Sequence, residues 1–280
     1  MRRSERLPAM TKMLVDRPNQ VISLSEFTER FGAAKSTVSE DLAIVKGVFA
    51  DQGLGRIETL AGAAGGVKFV PATQPTDVRA IVEDMCRDLS DARRILPGGF
   101  LYMSDLVSSP RLMSRIGEVF ATQFVPAAPT VVVTLETSGI PVALMTARAL
   151  DVPLAIVRRT SRVTEGSVVT MNYVSGSAKR IETMSLSRRA LSEGSRVLIV
   201  DDFMKAGGSA RGLVDLVEEF GAETVGIGIL VETGAPRQKL VKEYVSLAVL
   251  ESVDEERRFV HVRPSDWVNE INRSPEMNLT

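Results

Sequence analysis

The chain has 280 residues, 44% of them hydrophobic, with 34 Lys and Arg against 35 Asp and Glu; this is the composition of an ordinary globular protein long enough for two cores. A single cysteine, Cys86, excludes an intrachain disulfide and suits a reducing cytoplasm, while a single histidine, His261, argues against a His/Cys zinc site or a Ser-His-Asp triad. No apolar run approaches the roughly 20 residues of a membrane span, and no apolar stretch follows Arg2-Arg3 as a secretory signal requires, so a cytoplasmic protein without membrane contact is expected.

Residues 1–74 read as a winged helix-turn-helix. Ser4 can cap a first helix in which Leu7, Met10, Met13 and Leu14 form one apolar stripe ending before Pro18. Ser25 can cap a short second helix with Phe27 and Phe31 inward, Gly32 supplies a turn, and a third helix opens at residues 33–39 and continues through Leu42, Val45 and Phe49. Helix, glycine turn and helix at this spacing is a DNA-reading unit. Lys35, Ser36, Thr37 and Ser39 at the start of the third helix suit phosphates and base edges. Strand-like residues 55–60 and 67–70, joined by a tip of glycines and alanines, predict a hairpin wing whose small residues permit close approach to a DNA groove or a partner domain. Basic groups cluster at Arg2, Arg3, Arg6, Lys35 and Lys46, and with Lys68 on the wing these are the DNA-binding candidates. Ten Lys and Arg against eight Asp and Glu in this segment imply weak non-specific affinity, so specific contacts and a dimer are needed. A module used only for dimerisation or docking is the bland alternative.

Residues 71–75 read as a linker, and a helix follows with Val78, Ile81, Val82, Met85 and Leu89 at three-to-four spacing. The loop at 96–102 leads to a further helix over about 111–124, and residues 75–280 form the second domain. A buried strand at 129–136 runs into Thr137-Ser138-Gly139-Ile140-Pro141, which opens a helix through Val142, Leu144, Met145 and Leu150. A strand at 153–157 ends in Arg158-Arg159. Residues 160–187 are polar with alternating Val169, Met171 and Tyr173, which suits a hairpin or mobile arm. Further strands recur at 224–231, where Gly226 and Gly228 are packing residues, and at 245–250.

The stretch richest in chemistry is residues 197–209. Val197 to Val200 run straight into Asp201-Asp202, then Phe203-Met204-Lys205-Ala206 and the pair Gly207-Gly208 before Ser209. The pattern is a buried strand, a loop and an amphipathic helix carrying Leu213, Val214, Leu216, Val217 and Phe220. Backbone N–H groups at a glycine-rich helix N-terminus suit a phosphate, whereas paired carboxylates suit a sugar diol or a divalent cation. A ligand with both ribose and phosphate satisfies both halves. Walker and Rossmann signatures are absent, and too little chain follows for a receiver domain.

This stretch resembles the phosphoribosyl pyrophosphate (PRPP) motif of type I phosphoribosyltransferases. The resemblance implies that Asp201 and Asp202 hold the ribose hydroxyls and that Phe203, Met204, Lys205, Ala206, Gly207, Gly208 and Ser209 surround the 5-phosphate. It also implies that Glu136, Thr137, Ser138 and Gly139 wrap the diphosphate, with Arg158 or Arg159 neutralising it. Lys205 stands where many of the enzymes have a small hydroxylated residue. Together the two halves resemble the purine operon repressor family of Gram-positive bacteria, through residues 61–68, 96–99, 163–167 and 172–177 as well as the motif itself. The implied fold is α/β: an N-terminal winged helix-turn-helix and a C-terminal type I phosphoribosyltransferase-like domain, with a central mostly parallel sheet and flanking helices. The implied function is a homodimeric, non-enzymatic repressor that binds operators of purine synthesis genes and is released by PRPP, with or without Mg²⁺. No resident metal or required cofactor is expected. Guanosine tetra- or pentaphosphate is an implied competitor, and Phe100 or Tyr102 would stack on its base. An active purine phosphoribosyltransferase with an appended regulatory domain stays open as the alternative.

Overall fold

Amphipathic patterning in the first segment produces α1 (Arg3–Asp16), β1 (Ile22–Ser23), α2 (Leu24–Phe31), α3 (Lys35–Asp51), β2 (Arg56–Leu60) and β3 (Gly66–Val70). The computed structural model describes residues 1–62, 65–160, 163–174 and 181–271; the wing-tip residues Ala63 and Ala64, the motif residues Ser175 to Ser177 and the end of the C-terminal tail lie outside them. Met10, Leu14, Phe27, Val38, Leu42, Val45 and Phe49 are buried together, and Phe49 meets Phe69 edge-on at 5.3 Å, which seats the wing on the helices. Gly32 adopts the left-handed conformation (φ 57°) that closes α2 before the turn into α3.

Two caps differ from expectation. Ser4 lies inside the first turn of α1: the Glu5 carboxylate accepts the Arg2 N–H at 2.8 Å and lets the helix start earlier. Ser25 lies inside α2, and Ser23 caps it by accepting the Glu26 N–H at 3.2 Å. The wing glycines also have a local use. β1 pairs antiparallel with β3, bringing Ser23 opposite Gly66, and a Cβ on Gly66 would overlap the Ile22 carbonyl. The close approach is to β1 of the same unit, which two residues of sequence did not announce.

The second segment contains α4 (Pro75–Leu89), the short hairpin β4 (Ile95–Leu96) and β5 (Phe100–Leu101), α5 (Ser104–Val107), α6 (Pro110–Phe124), β6 (Val131–Leu135), α7 (Ile140–Leu150) and β7 (Leu154–Val157). Then come the hairpin β8 (Val168–Val174) and β9 (Ile181–Ser187), β10 (Arg196–Met204), α8 (Gly208–Glu219), β11 (Glu223–Thr233), β12 (Val245–Asp254), β13 (Phe259–Pro264) and α9 (Asp266–Glu270). The chain falls into two compact units, Met1–Gln74 with Arg148–Asp151, and Pro75–Ala147 with residues from Val152 onward. The main sheet of the second unit has the order β13-β12-β11-β10-β6-β7, all parallel except the antiparallel edge β13.

Both faces of this sheet are covered, which is why β6 and residues 197–200 of β10 are buried without interruption. Val197, Ile199 and Val133 pack with Leu213, Leu216 and Val217 of α8 and with Tyr173 and Met184 of the β8–β9 hairpin. On the other face Phe124 and Phe120 of α6 lie against Gly226 and Gly228, where a Cβ would meet their rings at 2.6 and 3.0 Å. From the adjacent centre strands, β6 leads through α7 to β7 on one side and β10 leads through α8 to β11 on the other. The loops after β6 and β10 therefore open at a topological switch point, the usual ligand crevice of open α/β sheets.

Candidate functional site

The loop between β10 and α8 is held from behind. Gly207 is left-handed (φ 83°), and a Cβ there would stand 3.2 Å from the Leu240 amide nitrogen. The Leu240 N–H donates to the Ala206 carbonyl at 2.9 Å. The Lys239 ammonium donates to the Lys205 carbonyl at 2.6 Å and to the Thr233 carbonyl at 2.5 Å. In a trans peptide the C=O and N–H point in opposite directions, so the Ala206 and Gly207 amides face away from this backing. Among the described residues no backbone acceptor meets the amides of Ala206, Gly207 or Gly208. Donors left in this way at a helix N-terminus form a nest of the kind that suits an anion. Burial lowers the Lys239 ammonium pKa, opposed by the Glu232 carboxylate 3.9 Å away.

The acid pair lies at the start of the same loop. Asp201 is buried and its Oδ1 accepts the Asp202 N–H at 3.0 Å, while Asp202 is half-buried. Burial pushes both carboxyls upward, Asp201 well upward, and the charge of Asp202 adds to the effect on Asp201. Gly139 is part of this packing: a Cβ would overlap Asp201 Oδ1 and lie 2.6 Å from Thr134 Oγ1. Its role is to let the loop after β6 close on the acid pair, and it does not line the cavity.

The two arginines after β7 diverge, as consecutive residues of an extended chain do. Arg159 reaches the cavity; its backbone N–H donates to Glu136 at 2.8 Å, and its Nη1 donates to the Tyr173 hydroxyl at 3.0 Å and to Glu182. Arg158 turns away to line a separate cavity, with Nη1 donating to Glu136 at 3.0 Å and Nε to Glu165. Glu165, seven residues on, folds back and pairs with Arg158. Glu136 holds both strand-end residues at once. The peptide between Glu136 and Thr137 is cis.

These elements surround a cavity of about 810 Å³ lined by Glu136, Thr137, Ser138, Arg159 and residues 201–210. The β4–β5 hairpin contributes Gly98, Gly99 and Phe100, and Phe100 is 69% exposed at the cavity, an apolar face available for stacking. Tyr102 lies outside the lining; Arg94 takes its carbonyl at 3.1 Å and the Asp105 carboxylate at 2.6 and 2.9 Å, which fixes the base of the hairpin. Glu251 and Thr233 line the far side, and neither was signalled by a sequence motif. The lining carries four carboxylates (Glu136, Asp201, Asp202 and Glu251) and two cations (Arg159 and Lys205).

In the N-terminal unit, Lys35, Ser36, Ser39 and Lys46 are exposed on α3, with Thr37 half-buried. Arg6 departs from the expected DNA-facing surface: it is 8% exposed, and its Nε donates to buried Asp41 at 2.7 Å. Asp41 sits on the inner face of α3 and needs a cation, so Arg6 is part of the core. Arg3 is exposed but engaged, with Asp41 at 3.0 Å and Glu40 at 2.8 Å, and Lys68 is 3.2 Å from Glu58 across the wing. Arg2 is exposed.

Residues 2–71 match the family model described as bacterial purine repressor, N-terminal, and residues 111–263 match the phosphoribosyl transferase domain. The chain is 43% identical over 267 residues to the purine biosynthesis transcriptional repressor PurR of Bacillus subtilis, covering 95% of this chain and 94% of that protein. It is 40% identical over 272 residues to the purine biosynthesis transcriptional activator PurR of Lactococcus lactis, covering 96% of this chain and all of that one. An adenine phosphoribosyltransferase structure from Giardia lamblia aligns with TM-score 0.52 at 20% identity, covering 65% of this chain and 99% of that one, which shows a shared fold. No described helix is long and apolar enough to cross a membrane.

Proposed function

The chain belongs to the bacterial purine repressor family, and from that premise we propose that it represses purine synthesis genes and that PRPP releases it from its operators. The observation that carries this reading is one cavity gathering an acid pair, a backed nest of amides and Arg159, in a chain that also holds a helix-turn-helix. Asp202 and Asp201 suit a ribose diol, the amides of residues 206–208 suit the 5-phosphate, and Thr137, Ser138 and Arg159 suit the diphosphate. The repressor sense follows the Bacillus subtilis relative.

A cavity with four carboxylates and two cations does not attract a polyanion by charge alone. Mg²⁺ bound to the effector's phosphates would offset the acids, and among the described residues no group of three or more His, Cys, Asp or Glu gathers to hold a metal independently. Phe100 would stack on the base of guanosine tetra- or pentaphosphate, which competes for the same nest and favours repression. Release follows from linkage: PRPP weakens DNA binding only if it binds the DNA-free state more tightly. The working protein would be a cytoplasmic homodimer that reads operators through Lys35, Ser36, Thr37 and Ser39.

A gel shift on purine-gene promoters tests the reading, with PRPP expected to release the complex and guanosine tetraphosphate to restore it. Complexes indifferent to PRPP would count against it. The phosphoribosyltransferase domain keeps turnover as the rival. Pyrophosphate release from PRPP, Mg²⁺ and a purine base would establish that rival; no release above background is expected.

A further inference from the structure

The separate cavity that Arg158 lines, about 660 Å³, lies beside β7, the edge strand of the main sheet. Its charge balance is opposite to that of the first. Three cations, Arg158, Arg188 and Arg189, face one carboxylate, Glu165, where the first cavity has two cations against four carboxylates. Arg158 is already paired, with Glu165 and Glu136. Arg188 and Arg189 are exposed in the turn after β9, and neither guanidinium pairs with a described residue. The backbone fixes this turn on both sides. The Arg188 N–H donates to the Ser167 carbonyl at 2.9 Å, and the Ser187 hydroxyl donates to the Glu165 carbonyl at 2.8 Å. Just before it, Ser185 and Arg158 exchange backbone hydrogen bonds of 2.9 and 2.7 Å. Leu154, Ala155 and Ile156 of β7 and Leu186 of β9 contribute apolar wall. A cleft with low-polarity walls and one dominant sign of charge concentrates counter-ions.

We propose that this cavity is an anion-binding site, separate from the effector pocket, for a small ligand carrying a phosphate or diphosphate group. Its volume falls within the roughly 300–1,000 Å³ of small-molecule sites, which suits a compact anion entering a concavity. A guanidinium presents a planar fork of donors matched to phosphate oxygens, and Arg188 and Arg189 bring two such forks to one rim. Arg158, held by its two carboxylates, anchors the strand end behind them. A solvated turn would also expose two arginines, but it would not set them over an apolar-walled cavity or tie them by backbone bonds to its opposite rim. The site is independent of the effector reading, because the two cavities share no lining residue.

Inorganic pyrophosphate, titrated calorimetrically without Mg²⁺ into the full-length protein, is the probe. The test variant is Arg188→Ala with Arg189→Ala. The control is Arg257→Ala with Arg258→Ala, which removes two exposed charges from the turn between β12 and β13. The test variant should lose about tenfold in affinity, the scale of one charge-assisted hydrogen bond, and the control should bind as the wild type does. Two binding events in the wild type with one lost in the variant would support the site, and so would a single event that the variant loses. Wild-type protein that binds no pyrophosphate would overturn the proposal, as would an isotherm that the test variant leaves unchanged. An equal loss in the control would overturn it too, because that marks general screening of charge. Thr164→Glu guards against a folding defect: it adds a carboxylate to the lining and keeps both arginines. The same loss at unchanged Tm is expected, and wild-type affinity in Thr164→Glu would again count against the site.

Discussion

In the N-terminal unit the charged groups largely satisfy one another, whereas around the C-terminal cavity donors and acids are held without doing so. Arg6 and Arg3 converge on Asp41, Arg17 reaches Glu26 at 2.7 Å, and Lys68 faces Glu58. Around the cavity, the Lys205 and Ala206 carbonyls are drawn back while the Ala206 and Gly207 amides remain available, and two adjacent acids are packed together, Asp201 buried and Asp202 half-buried. A surface that reads DNA must first be a stable small domain, and ion pairs contribute to holding its helices in register. A pocket for a polar ligand must instead hold groups in unfavourable surroundings until the ligand supplies what they lack. The same residue type thus carries different information in each region: an arginine near the N-terminus is more often structural than its charge suggests.

The largest expected break of this contrast is Asp201→Ala with Asp202→Ala. It removes the acids that would hold the ribose and leaves the N-terminal unit untouched, so operator binding should persist while PRPP loses all effect in a gel shift. A double variant that PRPP still releases normally would refute the pocket assignment. Next is Asp41→Ala, which leaves the buried Arg6 guanidinium without its carboxylate. Breaking a buried pair costs about 3–5 kcal/mol, so calorimetry should show early melting of the N-terminal unit and operator binding should fall with it.

How much of this was legible in the sequence depends on the distance over which each feature is determined. The strand of Val197 to Val200, the acids, the glycines and the helix form one continuous string, and the structure gathers them around one cavity. Gly32 and the apolar stripes of α1 to α3 are equally local. The burial of Arg6 was not readable, because its partner Asp41 lies 35 positions away and only helix packing unites them. Arg158 and Arg159 looked equivalent; strand alternation and the return of Glu165 separate them. Lys239 carries no motif at all, yet its ammonium supports the loop from beneath. Such residues act through carbonyl groups, and every sequence has those.

Lys239→Met sharpens the comparison within the pocket itself. It removes the donor to the Lys205 carbonyl and frees that peptide to turn. Ribose 5-phosphate affinity should fall about tenfold, the scale of a charge-assisted hydrogen bond, with pyrophosphate affinity nearly unchanged. Loss of both equally, measured by calorimetry, would mean a general collapse. Lys35→Ala probes the other region with a smaller effect. Each phosphate contact contributes roughly 0.9 to the slope of log affinity against log salt. The variant should lose about that much slope without loss of thermal stability, and an unchanged slope would remove Lys35 from the DNA contacts.

The smallest effect belongs to Asp202→Asn, and its sign is opposite to that of most substitutions. Asp201 and Asp202 are both pushed upward in the folded protein, first by burial, and for Asp201 also by the charge of its neighbour. A carboxyl whose folded pKa lies above its unfolded value binds its proton more tightly when folded. Its ionised form therefore opposes folding above the folded pKa, and that penalty fades as pH falls toward the ordinary carboxylate value. Replacing Asp202 by Asn removes one charge from the pair and relieves Asp201. At pH 7 the Tm should rise by about 2–4 °C, the shift expected for roughly 1 kcal/mol in a chain of this size. Between pH 7 and the ordinary carboxylate range the wild type should gain on the variant until the difference closes. If the variant melts lower at every pH, the Asp202 carboxylate is contributing bonds that outweigh the repulsion, and the acids would count among the satisfied groups of the molecule. If it melts higher and also fails to bind PRPP, the pair is a local cost to folding retained for the ligand, which is the distinction between the two regions stated in degrees.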